Sequence, residues 1–214
     1  LTFSGLNIID ASSAVLLVQS EVPFGVLIAF LLLKEKPSKK NLIGIFIAFS
    51  GLIVLTGTPN LQDKYHGAVL VLSGAFTWSF AQVLAKPMSE KLNGIVITAW
   101  LGILAGPQLI FASHIFEGSV FENIILGNFQ SWMIVLYLGL IMNALGYSIW
   151  YHVLGIYPAN KVIPAMLLLP VVGIVTAITL LGERIDFKVF IGGVIILFGV
   201  SIILFSNKIS KSYK

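Results

Sequence analysis

Long apolar runs separated by short polar intervals organise this chain. Reading from one polar interval to the next places runs at residues 13–33, 41–57, 67–85, 94–116, 131–152, 161–181 and 189–206. Their lengths bracket the roughly 20 residues that a helix needs to cross about 30 Å of hydrocarbon. The runs are continuous, whereas strands of a membrane barrel would alternate in polarity over about ten residues. A helix also satisfies its own backbone polar groups in a solvent that cannot do so. The pattern therefore predicts an all-α membrane protein with seven spans. The opening stretch, Leu1 to residue 10, reads as the tail of a further helix whose beginning lies outside the sequence, which makes the chain a fragment.

The polar intervals carry a second pattern. Leu33, Glu35, Gly44 and Gly51 recur as Leu181, Glu183, Gly192 and Gly199, each pair separated by the same 148 positions. Ala11 and Ala159 keep that offset, and Pro23 and Pro170 miss it by one. A fixed offset of this kind marks an internal repeat. Five predicted helices lie between the two glutamates, an odd number, so equivalent elements run in opposite directions across the bilayer. The expected architecture is a multi-helix bundle from two inverted repeats, a layout found in secondary transporters that rock around a midplane site.

Charge sets the expected orientation, because lysine and arginine are retained on the cytoplasmic side. One set of alternate intervals holds Lys34, Lys36, Lys39, Lys40, Lys86, Lys91, Lys161, Lys208, Lys211 and Lys214, and the other only Lys64, Arg184 and Lys188. This asymmetry puts the C-terminus in the cytoplasm and the acidic interval 117–130 outside.

Composition narrows the chemistry further. Hydrophobic residues make up 57% and charged residues 10% of the chain, against about 25% charged in soluble domains. The chain contains no cysteine. With His66, His114 and His152 scattered near span ends, no metal-ligand cluster is legible, and neither a metal nor a cofactor is expected. The lysines sit where topology explains them, with no basic groove interleaved with aromatic platforms, so nucleic acid is not an expected partner. Asp10 is the only aspartate close to a span, and no serine and histidine pair emerges, which argues against an intramembrane enzyme.

A few polar residues inside the apolar runs are the candidate site. Glu21 lies near the middle of the first complete span, where an ionised acid facing lipid costs roughly 2.5–3.5 kcal/mol. Either it lines an aqueous cavity, taking up a proton or a substrate ammonium, or it is a protonated acid bonded to a neighbouring helix. Gln19 and Ser20 adjoin it; Gln82, Gln108 and Asn143 add amides within other spans. Amides can hold a zwitterion without bringing net charge into lipid, although interhelical glue worth about 0.6 kcal/mol is the plainer role for any one of them. Gln82 and Asn143 lie deepest. Trp78 and Tyr147 are placed to wall a cavity, whereas Trp132, Trp150 and Tyr151 fit an interfacial belt. The Gly102 and Gly106 pair, and the similar small pair Gly44 and Ala48, suit close helix packing. Pro23, Pro107, Pro164 and Pro170 can kink their spans. Glu35 and Glu183 read as solvated partners of Lys36 and Arg184, or more sharply as a conformational latch.

The residues also resemble those of the EamA family within the drug/metabolite transporter superfamily. The resemblance rests on Pro23 with Leu33 to Lys36, Gly44 and Gly51; on Gly67 to Trp78; on Gly146 to Trp150; and on Leu167 to Val172 with Gly182, Glu183, Arg184, Gly192, Gly193 and Gly199. It implies ten helices in two inverted five-helix repeats: residues 1–57 the end of the first, 66–206 a complete second, and 207–214 a basic cytoplasmic tail. The first two helices and most of the third are absent. The family's glycine before the loop glutamate is Lys34 in the first repeat. Among its members the exporters of amino-acid metabolites are nearest. The implied function is export of small amino acids or related metabolites across a bacterial inner membrane, by an antiporter exchanging protons through alternating access. Its partners are the metabolite, protons and the bilayer, the protein being a monomer or homodimer, and Gln19, Glu21, Trp78, Gln82, Asn143 and Tyr147 form the site. Uptake of another metabolite, such as a nucleoside, nucleotide-sugar or S-adenosylmethionine, and a channel are the alternatives.

Overall fold

The computed structural model describes residues 2–9, 11–57, 64–116, 128–181 and 186–205. Seven apolar helices of membrane-spanning length occupy Ser13–Leu33, Lys39–Thr56, Tyr65–Ser89, Gly94–Ile115, Phe129–Ile156, Ala159–Leu180 and Phe187–Leu204, and no strand occurs among the described residues. Each matches one predicted run to within a few residues. Gly182, Glu183, Arg184, most of the acidic interval and the lysines of the tail lie outside the described residues.

Three of the spans are interrupted, and two of the interruptions follow from proline. A short helix, α1 (Thr2–Leu6), precedes α2 (Ala11–Val18), which ends in a turn at Gln19 and Ser20 before α3 (Glu21–Leu33). Proline has no backbone N–H, and its ring crowds the carbonyl four residues earlier. Pro23 therefore cannot serve the Gln19 carbonyl, which accepts from the Val22 N–H at 3.1 Å. Next come α4 (Lys39–Thr56), α5 (Tyr65–Ser89) and α6 (Gly94–Phe116). The sixth span is broken in the same way: α9 (Ala159–Val162) passes through a 3-10 segment (Ile163–Leu168) into α10 (Leu169–Leu181), with Pro164 and Pro170 in the interrupted stretch. The fifth span runs α7 (Phe129–Leu136), an eleven-residue π-helix (Tyr137–Tyr147) and α8 (Ser148–Ile156). No proline marks that change, and we have no physical account of its length. The last helix is α11 (Phe187–Leu204).

Cap chemistry fixes several ends. The Ser38 hydroxyl oxygen accepts from the Asn41 N–H at 3.1 Å and starts α4, a serine N-cap. Asn128 starts α7 in the same manner, accepting from the Ser131 N–H at 2.8 Å. At the end of α3, Lys34 takes the left-handed conformation with φ 57°, and the N–H groups of Lys34 and Glu35 both close on the Ala29 carbonyl. Glycine ordinarily fills that position because it has no Cβ to crowd the carbonyl. Lys34 thus takes a backbone shape that glycine ordinarily supplies.

The chain divides into two compact units, Leu1–Leu84 with Tyr157–Lys214, and Ala85–Ile156. In the first, α4 and α11 lie antiparallel and in close contact. A Cβ on Gly44 would stand 2.6 Å from the Gly199 carbonyl oxygen, and one on Gly51 would stand 2.8 Å from that of Gly192. The converse holds too, with Gly199 facing Gly44 and Ala48, and Gly192 facing Gly51 and Leu55. Only glycine allows two backbones this near. Around the seam Leu16, Val22, Ala48, Leu52, Leu167, Ile196 and Val200 form a buried core.

In the second unit, α6 packs on α8, with Gly94 against the Ser148 carbonyl. Lys86, expected in a polar interval, instead lies in the last turn of α5 and is buried, 2.7 Å from Glu90 and 3.5 Å from the Gly155 carbonyl oxygen. A cation against the last carbonyls of a helix meets the negative end of its dipole. Gly102 and Gly106 have nothing described within 4 Å of where a Cβ would sit, so no described helix approaches that pair.

Candidate functional site

The interruption at Gln19 in the first span and the one at Met166 in the sixth meet within the first unit. Pro170 denies the Met166 carbonyl its α-helical donor; the Leu169 N–H serves it in the 3-10 turn, and the Gln19 side chain adds a second donor, its Nε2 donating to Met166 O at 3.2 Å. From α5, Gln82 approaches the same residue, with Nε2 3.6 Å from the Met166 sulfur. Ser79, one turn earlier on α5, donates its hydroxyl to the Glu21 backbone carbonyl at 2.6 Å. Gln19, Glu21 and Gln82 are thus gathered at one junction, and all three are buried.

Their polar groups are unevenly used. Gln19 Oε1 is buried with no hydrogen-bond partner, and such an orphan costs about 1–3 kcal/mol where nothing offsets it. The Glu21 carboxylate has neither a hydrogen-bond donor nor a cation beside it among the described residues, while its residue is only 5% exposed. Beside this junction lies a cavity of about 530 Å³ lined by Gln19 and by apolar side chains that include Val15, Val18, Leu169 and Pro170. Gln19 is the one sequence-expected residue on that wall. Such a volume falls in the range that houses small metabolites.

The aromatic expectations divide. Trp78 is 36% exposed on α5, close in sequence to Phe76 and Phe80, which stack, Phe24 of α3 meeting Phe76 edge-on at 5.6 Å. Asn143 and Tyr147 belong to the second unit. Asn143 is exposed and spends its amide on its own helix, Nδ2 donating to the Leu138 carbonyl at 2.9 Å. Gln108 likewise turns back to Leu104 at 3.0 Å. Tyr147 is half-buried and stacks on Tyr151 at 6.2 Å. Tyr151, assigned by sequence to an interfacial belt, is instead buried against α8's neighbours.

Sequence reasoning missed Met166 and Ser79. Met166 contributes a backbone carbonyl, which no side-chain motif announces; the legible signal was Pro170, four residues on. Ser79 acts through a backbone contact that only packing reveals. Three further bonds escaped notice for the same reason. Pro164 leaves the Asn160 carbonyl without its helical donor, and Asn41 Nδ2 donates to it at 3.1 Å. Glu35, expected to pair with Lys36 in solvent, accepts instead from the Ala159 and Asn160 N–H groups.

Comparison with known proteins places this arrangement. Two proteins each named probable amino-acid metabolite efflux pump, from Salmonella typhimurium and Escherichia coli, are both 28% identical to the chain; the matches cover 94% and 99% of this chain and 70% and 74% of theirs. An uncharacterized transporter of Clostridium kluyveri is 27% identical over 95% of this chain and 67% of its own length. A protein of known crystal structure, 17% identical, shares the fold with a TM-score of 0.80, over 95% of this chain and 72% of that one. The three sequence relatives carry the names of efflux pumps or transporters, and with the seven apolar spans they mark a multi-pass membrane protein of transport function rather than an enzyme. The sequence pattern of the EamA-like transporter family matches residues 1–57 and 66–205, and the chain belongs to that family.

Proposed function

We propose that this chain is the greater part of a secondary transporter that exports small amino acids or related metabolites across a bacterial inner membrane by alternating access, in exchange for protons, with its C-terminus cytoplasmic. The observation that carries the reading is the meeting of two proline-broken helices at near-equivalent places in the sequence. Discontinuous helices are the usual builders of transporter sites, because a break exposes backbone groups to a solute without exposing them to lipid. Here the break leaves one amide oxygen, on Gln19, buried without a hydrogen-bond partner among the described residues on the wall of a cavity.

Contacts between α4 and α11 support two inverted repeats. Adding 148 to Gly44 gives Gly192, and subtracting it from Gly199 gives Gly51, so the contact of Gly44 with Gly199 is carried onto the contact of Gly192 with Gly51. The approaches of Gly51 to Ile196 and of Gly199 to Ala48 obey the same exchange, as do those of Gly192 to Leu55 and of Gly44 to Ile203. A pair of antiparallel helices with such reciprocal contacts fits a local two-fold axis lying in the membrane plane. Domains at 1–57 and 66–206, one partial and one complete repeat, fit the same scheme.

In this mechanism Glu21 exchanges a proton for the substrate ammonium, its charge being offset by each in turn. Gln19 and Gln82 orient the solute, with Trp78 as a wall of the path. The test uses the full-length protein in proteoliposomes with an imposed pH gradient. Wild type should accumulate solute, and Glu21→Gln, which can carry neither the proton nor the counter-charge of the ammonium, should lose both gradient-driven accumulation and solute exchange. Undiminished accumulation by the variant would remove Glu21 from the coupling, and flux that never exceeds equilibration in wild type would favour a channel.

A further inference from the structure

On the face that the lysines assign to the cytoplasm, the end of the broken sixth span is held by side chains rather than by packing alone. Glu35 Oε1 accepts from the Ala159 N–H at 3.2 Å, and Oε2 accepts from the Asn160 N–H at 3.1 Å. One carboxylate thus occupies two consecutive free donors of a helix start, at the positive end of its dipole. Asn160 is held further, its carbonyl accepting from Asn41 Nδ2 and its Nδ2 reaching the Lys36 carbonyl at 3.4 Å. The left-handed Lys34 sets the direction in which the chain leaves α3 at Glu35. Every bond in the group joins the stretch 34–41 to residues 159 and 160.

We propose that Glu35 is a positioning residue that works as a releasable clamp: its carboxylate holds the first turn of the broken span against the 34–41 stretch in one transport conformation and releases it in the other. Three features point to release rather than permanent fixation. Glu35 is half-exposed, so water can take up its carboxylate when the turn lifts away, whereas Ala159 and Asn160, buried while the clamp is closed, give up those two bonds only by moving. Between the clamp and the Gln19 junction lies the 3-10 segment with Pro164, whose poorer bonding suits a pivot. Two residues past Pro164, within that segment, lies Met166, which the Gln19 side chain grips, so a tilt of the clamped turn is transmitted to the site. The functional meaning rests on the transporter reading above, but the test reads the clamp without any transport.

That test uses full-length protein in membranes, in a cysteine-free background, with one cysteine placed at Val162, which is buried just beyond the clamped turn. A second version carries the cysteine at Ile196, buried in α11 away from it. With a water-soluble maleimide, Glu35→Ala should speed labelling at 162 by about tenfold, the factor for loss of one ordinary net hydrogen bond. Labelling at 196 should stay as in wild type, and Glu35→Gln, which keeps one acceptor oxygen, should fall between. Equal labelling at 162 in all three proteins overturns the clamp. So does equal acceleration at 196, which would mean Glu35 supports the whole fold, and so does failure of both variants to reach the membrane folded. Labelling as expected together with absent transport would reject the transporter reading and leave the clamp standing.

Discussion

At the scale of single residues, the first and sixth spans are shaped by missing donors. Pro23, Pro164 and Pro170 deny the carbonyls of Gln19, Asn160 and Met166 their α-helical donors, and these are answered by the Val22 N–H, by the Asn41 amide, and by the Leu169 N–H together with the Gln19 amide. In lipid such compensation is obligatory, since no water reaches a bare carbonyl. Asn41 is 2% exposed and its partner is buried with it, so the cost of removal should be near the full desolvation penalty. Asn41→Leu should lower stability by about 1–3 kcal/mol, read as an earlier unfolding midpoint in detergent. Combining it with Pro164→Ala, which restores a backbone N–H at the position that served the Asn160 carbonyl, should cost less than Asn41→Leu alone plus Pro164→Ala alone. Strict additivity would show that the proline and the asparagine are not compensating partners. The sequence made the prolines visible as kinks, but not the residues that answer them, because Asn41 and Asn160 lie 119 positions apart and only the fold joins them.

Between elements, the governing contact is the glycine seam of α4 on α11. All seven spans could be delimited from hydropathy alone, since length and apolarity are local properties and the bilayer sets both. The division of the first span at Gln19 was hidden because both halves are apolar, and the π-helical stretch from Tyr137 has no residue signature at all. The glycines were legible as a repeat through their common offset, yet their partners were not. Sequence singled out two small-residue pairs for packing, and of these Gly44 with Ala48 lies in the close approach, together with Gly51, Gly192 and Gly199, whereas Gly102 and Gly106 do not. A substitution pair separates these cases. Gly199→Ala would set a Cβ 2.6 Å from the Ala48 nitrogen, a backbone atom that cannot step aside, and should destabilise by about 1–3 kcal/mol as overpacking does. Gly102→Ala meets nothing and should be neutral or gain up to about 1 kcal/mol from helix propensity. Unfolding midpoints of the two variants in the same detergent decide it, and equal losses would mean that the seam is not what fixes α4 against α11.

For the molecule as a whole, orientation is decided by charge rather than by any contact, because the energy that keeps lysine on one side is spent during insertion. Ten basic residues fall on one set of intervals and three on the other. Burial of Lys86 at the end of α5 tempers that count without reversing it, since its charge still sits at the same end of its helix as Lys91. The two caps on opposite sides of this scheme offer clean reporters. Ser38 starts α4 in the lysine-rich interval, and Asn128 starts α7 after the acidic one. In intact cells expressing the full-length protein without other cysteines, Asn128→Cys should react with a membrane-impermeant maleimide, whereas Ser38→Cys should react only after permeabilisation. The reverse pattern would place Lys34, Lys36, Lys39 and Lys40 outside, against the charge rule, and would move the Glu35 clamp to the outer end of the transport path. Reaction of both from outside would break the alternation of spans, and with it the antiparallel relation of α4 to α11 on which the inverted-repeat reading depends.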